Sequence, residues 1–329
     1  MLDINSEHGY NKYTLKEFEF ENGTVLNDVQ VEYTTRGNPV YDDDGNIINA
    51  VIYCHRFNGN YASIDNFYSA IGPNGIFHDY NFFFISITSL GFPDSCCPST
   101  TNLKYDFPKY TILDRVNFKR KFLAEKFNIS KVMGVSGDGV GGYEAYAWAC
   151  EYPDEMEFII VVGSSFKTNS YRYIASRVME AMIESSDAYY DELYSESLSR
   201  IMVSINRLIY SQYFSKRTLQ NFSRDEIDVL MDDFVDNGLF VDIYDFKFRN
   251  DAVLNYDMED KLENIKAKSL VISPSDDMYF TPEFDVDPLK GKIENLKTFI
   301  YDSKIDYVHN DDFSIFDDLL VEFLEEFKK

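Results

Sequence analysis

The chain is poor in positive charge: 31 Lys and Arg stand against 56 Asp and Glu among 329 residues, a formal net charge of −25. Such a field repels phosphate backbones and anionic lipid headgroups, which argues against nucleic-acid and membrane partners. Long hydrophobic runs are also missing, with no stretch of about eighteen apolar residues that could cross a bilayer. The first twenty residues, MLDINSEHGYNKYTLKEFEF, have neither the basic start nor the apolar centre of a secretory leader. A cytoplasmic location is therefore expected. Cysteine is scarce, and Cys54, Cys96, Cys97 and Cys150 show no metal-ligand spacing. The adjacent Cys96-Cys97 pair is ill suited to a structural disulfide, so the expectation is free thiols and no metal site. Histidine is limited to His8, His55, His78 and His309, which narrows the choice of a catalytic base.

What is present suits a globular core: 45% of residues are apolar and 16% aromatic. The length suits one large domain carrying an inserted subdomain. Short apolar runs recur between turn signals: VIYC (51–54), NFFFISI (81–87), KVMGVS (131–136), FIIVVGSS (158–165), KSLVIS (268–273) and KTFIYDS (297–303). Runs apolar on both faces fit a parallel sheet covered on both sides. Helical patterns at 111–127, 141–152 and 311–329 alternate with them, which predicts a doubly wound α/β fold with a mostly parallel central sheet flanked by helices. Ahead of these, residues 13–37 alternate apolar and polar around Asn22-Gly23, the pattern of an antiparallel hairpin. Between about 166 and 257 the strand signal gives way to helical stretches, then strands resume at 269. The expected organisation is a core at 1–165, a helical cap at 166–257 and the rest of the core at 258–329.

The stretch VMGVSGDGVGGYEAYAWACEYP (132–153) begins as a buried strand, turns on glycines and leaves as a helix. In a nucleophile elbow the apex sits in a strained strand-to-helix turn that needs small residues two before and two after it. Gly137-Asp138-Gly139-Val140-Gly141-Gly142 meets every small position, with the apex on Gly139, which has no side chain to attack with. Two shifted frames would place Ser136 or Asp138 at the apex. Ser136 then meets Asp138 where the second glycine belongs, and Asp138 meets Val140 there. A glycine-rich turn without chemistry, or one that cradles phosphate, is the bland alternative; no Lys-Ser/Thr follows as it would in a P-loop.

In this kind of site the order along the chain is nucleophile, acid, histidine. Of the four histidines only His309 follows the later strands, just after KTFIYDS. The acid belongs at the end of the preceding strand, where KSLVIS runs into Pro274-Ser275-Asp276-Asp277-Met278-Tyr279. Either Asp276 or Asp277 could orient the imidazole.

Over nearly its whole length the sequence resembles the homoserine O-acetyltransferase family of the α/β-hydrolase superfamily. FEFENGTVLNDVQVEYTTRG is similar to the family's opening hairpin, and NAVIYCHRFNGN (49–60) to its strand and oxyanion loop. YDFPKYTILDRVNFKRKFLAEKFNISKVMGVSG is similar to the approach to the elbow, LFVDIYDFKFRNDAVLNYDMED (239–260) to the segment leading out of the cap, SPSDDMYFTPE (273–283) to the acid loop, and DYVHNDDF (306–313) to the histidine loop. The family's elbow resembles G-G-S-M-G-G, its serine fourteen residues before a Tyr-Pro; counting back from Pro153 reaches Gly139. The resemblance thus implies an α/β-hydrolase fold, a serine replaced by Gly139, Asp276 as the acid, His309 as the base and the backbone N–H groups of Phe57 and Val140 as the oxyanion hole. It also implies acyl transfer from acetyl-CoA to a hydroxyl acceptor, no tightly bound cofactor, a small-molecule ligand, and a homodimer through the cap helices. Two departures accompany the glycine: the family's N-x-L-G is Thr88-Ser89-Leu90-Gly91, and its substrate-carboxylate arginine falls near Met179, with Arg177 close by. Three readings follow: an acyltransferase by descent impaired at Gly139, a non-catalytic protein that binds a small molecule or partner in the cap cleft, or an ester hydrolase using another nucleophile such as Ser136.

Overall fold

The computed structural model describes residues 10–72, 75–212, 214–302 and 313–328. Its centre is an eight-stranded sheet, in chain order β1 (Asn11–Glu19), β2 (Val25–Arg36), β3 (Ala50–Cys54), β4 (Phe83–Ile87), β5 (Val132–Asp138), β6 (Met156–Val162), β7 (Lys268–Pro274) and β8 (Leu296–Tyr301). Across the sheet the order is β1-β2-β4-β3-β5-β6-β7-β8. The alternating hairpin around Asn22-Gly23 forms as read, with Glu19 opposite Val25, and β2 then pairs antiparallel to β4. From β4 to β8 every pairing is parallel. The Val-, Ile- and Phe-rich runs explain this, because parallel strands lie between two apolar layers. One layer packs Ile52, Val135 and Val161 under helices α1 (Ile112–Phe127) and α2 (Val140–Glu151). The other packs Val51, Phe158, Ile160 and Ile272 against Phe316, Leu320 and Phe323 around α7 (Asp317–Leu324).

Between β6 and β7 the chain carries helices α3 (Ser170–Glu184), α4 (Glu196–Tyr210), α5 (Arg224–Leu239) and α6 (Ile243–Leu254). Helices α3, α4 and α6 share an apolar cluster of their own that includes Met179, Ile183, Met202, Ile205 and Tyr244. No helix of the described residues is long and apolar enough to cross a membrane.

The topology places a site. From β3 the chain crosses to β4 on one side and then returns to β5 on the other, so the loops leaving β3 and β5 diverge. A crevice opens beyond the carboxyl ends of strands at such a reversal, and in open α/β sheets this is where ligands bind.

Candidate active site

Gly139 is the apex of the turn between β5 and α2, with φ +54° and ψ −122°. Side chains rarely tolerate a positive φ, and glycine adopts it without cost. The flanking glycines meet a different demand, close approach: a Cβ on Gly137 would overlap the Gly141 carbonyl, and one on Gly141 would overlap the Cys54 carbonyl of β3. At Gly139 itself a Cβ would meet only the Cβ of Arg56, at 3.6 Å. The turn is held from β6, with the Gly139 N–H donating to the Val162 carbonyl (3.1 Å) and the Ser164 hydroxyl to the Gly139 carbonyl (2.5 Å). Val140 begins α2, where backbone N–H groups have no partner within the helix.

A cavity of about 100 Å³ lies over this turn. Gly139, Val140 and Phe57, the residues expected to supply the apex and the oxyanion donors, all line it. The cap closes the other side through residues of α3, α4 and α6, Met179 among them, while Arg177 turns away to pair with Glu180.

The two neighbouring carboxylates of the acid loop part company. Asp276 accepts the backbone N–H of Arg217 from the cap (3.2 Å), and Asp277 lines the cavity. Asp277 Oδ1 accepts the N–H groups of Tyr279 (2.6 Å) and Phe280 (3.0 Å) and so folds its loop around itself. The loop is anchored by Arg172 of α3, a buried guanidinium bound bidentately to Asp285 (2.6 and 2.8 Å) and stacked near the Phe280 ring. His309 lies outside the described residues.

The alternative nucleophiles sit elsewhere. Ser136 is a ladder residue within β5, paired with Tyr53 and Ile160, and lines a separate apolar cavity with Phe158 and Leu324. Asp138 is buried, accepts a hydrogen bond from the Tyr53 hydroxyl (3.1 Å) and pairs with Arg56 (3.2 Å). The sequence reading missed this pair. Its signal was an acidic residue set among glycines one place before the apex, since a carboxylate there must find a cation.

In the loop after β3, His55 is neutral with a fixed tautomer. Its Nε2 accepts the Ser89 N–H (2.9 Å), so Nδ1 carries the proton and donates to the Arg56 carbonyl (2.8 Å). Burial, reinforced by the Lys119 charge, pushes its pKa down to about 3. Asp277 shifts oppositely, pushed up to about 6 by burial against the lowering effect of its two backbone N–H donors.

A raised folded-state pKa makes Asp277 cost stability as pH climbs from about 4 through about 6, whereas the lowered value makes His55 cost stability as pH falls from about 6.5 toward 3. Between about pH 4 and 6 the two oppose each other. Asp277→Asn keeps an oxygen for both N–H groups and removes the first contribution. The variant is expected to be more stable at about pH 8, by up to about 3 kcal/mol, with a steeper loss on acidification. Urea midpoints across pH check this; a variant weakened at about pH 8 with an unchanged acid slope contradicts it.

A "Probable acyltransferase" of Methanothermobacter thermautotrophicus is 38% identical over 312 residues, covering 95% of this chain and 96% of that protein. The chain belongs to this acyltransferase family. The homoserine O-succinyltransferase of Hahella chejuensis is a more distant relative of this acyltransferase-family chain, 26% identical over 340 residues, with 89% of this chain and 86% of that protein covered. Among solved structures, a homoserine O-acetyltransferase from Bacillus anthracis superposes with a TM-score of 0.80 at 21% identity, covering 96% of this chain and 97% of the other. An acetylester hydrolase from Corynebacterium glutamicum superposes with a TM-score of 0.81 at 20% identity, covering 98% and 96%. At those identities the superpositions establish the α/β-hydrolase fold. No protein-family model matches the chain.

Proposed function

We propose that this acyltransferase-family chain keeps a ligand-binding cleft of the acyl-transfer type but forms no acyl-enzyme, because the residue at the apex is Gly139. In a serine-bearing site the histidine would deprotonate the hydroxyl, an acyl thioester such as acetyl-CoA would acylate it, and an acceptor hydroxyl, as on the homoserine of the named relatives, would take the acyl group. Here His309 is the assigned base. Asp277 replaces Asp276 as the orienting acid, since it is the carboxylate lining the cavity. The N–H groups of Phe57 and Val140 are assigned to the oxyanion.

The observation that carries this reading is the geometry of Gly139: a backbone bend in the strained region of a nucleophile, space for a Cβ, and no side chain. Without the oxygen no covalent intermediate forms there. A triad site that loses its nucleophile retains about 10³ to 10⁴ over the uncatalysed rate from the oxyanion hole and binding, so slow ester hydrolysis by a water is the ceiling for the native chain. Small-molecule binding is then the principal activity left to the cleft.

The native chain, incubated separately with acetyl-CoA and with a fluorophosphonate, is expected to keep its unmodified mass by intact-protein mass spectrometry. A stoichiometric adduct, on Ser136 or any other residue, would sink the proposal.

A further inference from the structure

The nature of the ligand follows from how the cavity spends its polar groups. Its walls are largely Phe57, Val162, Met179, Ile209, Val253 and Phe280. Four of the polar side chains lining it are engaged with the protein itself. The Asn250 amide donates to the Ser176 carbonyl (3.0 Å), and the Gln212 amide donates to the Leu208 carbonyl (3.2 Å). Asp277 Oδ1 serves Tyr279 and Phe280. Arg56, the one guanidinium lining the cavity among the described residues, is ion-paired with Asp138.

A ligand carboxylate would therefore share a cation already matched to an acid, with the Asp277 carboxyl lining the same small space. Buried charges without partners of their own are strongly disfavoured. Apolar groups, by contrast, gain from leaving water for these walls. One end of the cavity differs: at the apex, Val140 heads a helix whose first N–H groups lack intrahelical acceptors, so a neutral carbonyl oxygen is suited there.

We infer that the cleft selects an uncharged, mainly apolar molecule with one oxygen acceptor, of the class of a short-chain ester, and rejects carboxylates and amino-acid zwitterions of similar size. This rests on the proposed function only for the location of the binding site.

The test compares three probes on the full native chain at about pH 8, by calorimetry and thermal shift: ethyl butanoate, butanoate and serine. The ester is expected to bind saturably and raise the melting temperature, and the two charged probes to bind at least tenfold more weakly. Ile209→Trp, which fills the cavity from the half-buried wall of α4, is expected to abolish ester binding. Met179→Arg is expected to reverse the preference toward butanoate; should that variant fail to fold, Ile209→Trp still decides the site. Equal or tighter binding of butanoate or serine, ester binding untouched by Ile209→Trp, or no ester binding at all would each overturn the inference. A covalent adduct on the native chain would instead remove the proposed function and leave the charge preference standing.

Discussion

Gly139→Ser is expected to acquire ester-cleaving activity at least about 10³-fold above the native chain, with a burst of product in the first turnover and an acyl group on the new serine. The magnitude follows from what a triad nucleophile contributes where its loss has been measured, on the order of 10⁶ in turnover, discounted because the new side chain also carries the strain of a positive φ. Sterically the serine is admissible, since its Cβ would meet only Arg56 Cβ at 3.6 Å. Conformationally it is not free: a side chain at φ +54° costs about 1 to 3 kcal/mol. Gly139→Ala separates the two effects, because it carries the same strain without the oxygen. That variant should lose about the same stability and gain no activity. Burst kinetics with a chromogenic acetate ester, and intact mass before turnover completes, provide the readouts. A folded Gly139→Ser that binds ester without a burst would show that the remaining groups are not arranged to activate it.

The second large effect concerns stability. Glu144 on α2 is fully buried, accepts the Ser89 hydroxyl (2.8 Å) and Lys119 (2.6 Å), and lies 3.6 Å from Arg115. Lys119 and Arg115 come from α1 and are as buried as the glutamate. Their charges hold the Glu144 pKa below its ordinary value against the opposing effect of burial. Glu144→Ala would leave two cations buried around a void, and breaking a buried pair from one side costs about 3 to 5 kcal/mol. The urea midpoint should fall accordingly. Adding Lys119→Met to Glu144→Leu should recover much of the loss, since removing both partners of a pair is far milder than removing one, and Arg115 keeps the Leu90 carbonyl and the Phe92 ring. Losses under about 1 kcal/mol in Glu144→Ala would mean that water reaches the cluster.

The elbow was legible in the sequence because its requirements are steric and local. Three glycines spaced by two residues fit a turn where the outer pair must clear backbone carbonyls, and Gly137 and Gly141 do so. The strands were legible for a similar reason: β3 to β7 read as apolar runs because both faces are covered. The choice between Asp276 and Asp277 is different in kind. Adjacent carboxylates in a loop differ only by which way the turn folds, and that is set by N–H groups two and three residues ahead together with Arg172 from the cap. Nothing in the order of residues 274–280 encodes a partner 107 residues away along the chain. The Arg56–Asp138 pair was hidden likewise, since it joins the loop after β3 to the last residue of β5, two strands whose adjacency belongs to the sheet order.

That pair also bears on what a side chain at the apex would meet. A serine introduced at position 139 would sit next to an acid held between the Tyr53 phenol and the Arg56 guanidinium. Arg56 immediately precedes Phe57, the assigned oxyanion donor, so the ion pair joins the two halves of the cavity floor, the loop after β3 and the turn at Gly139. Relaxing it would release both halves together.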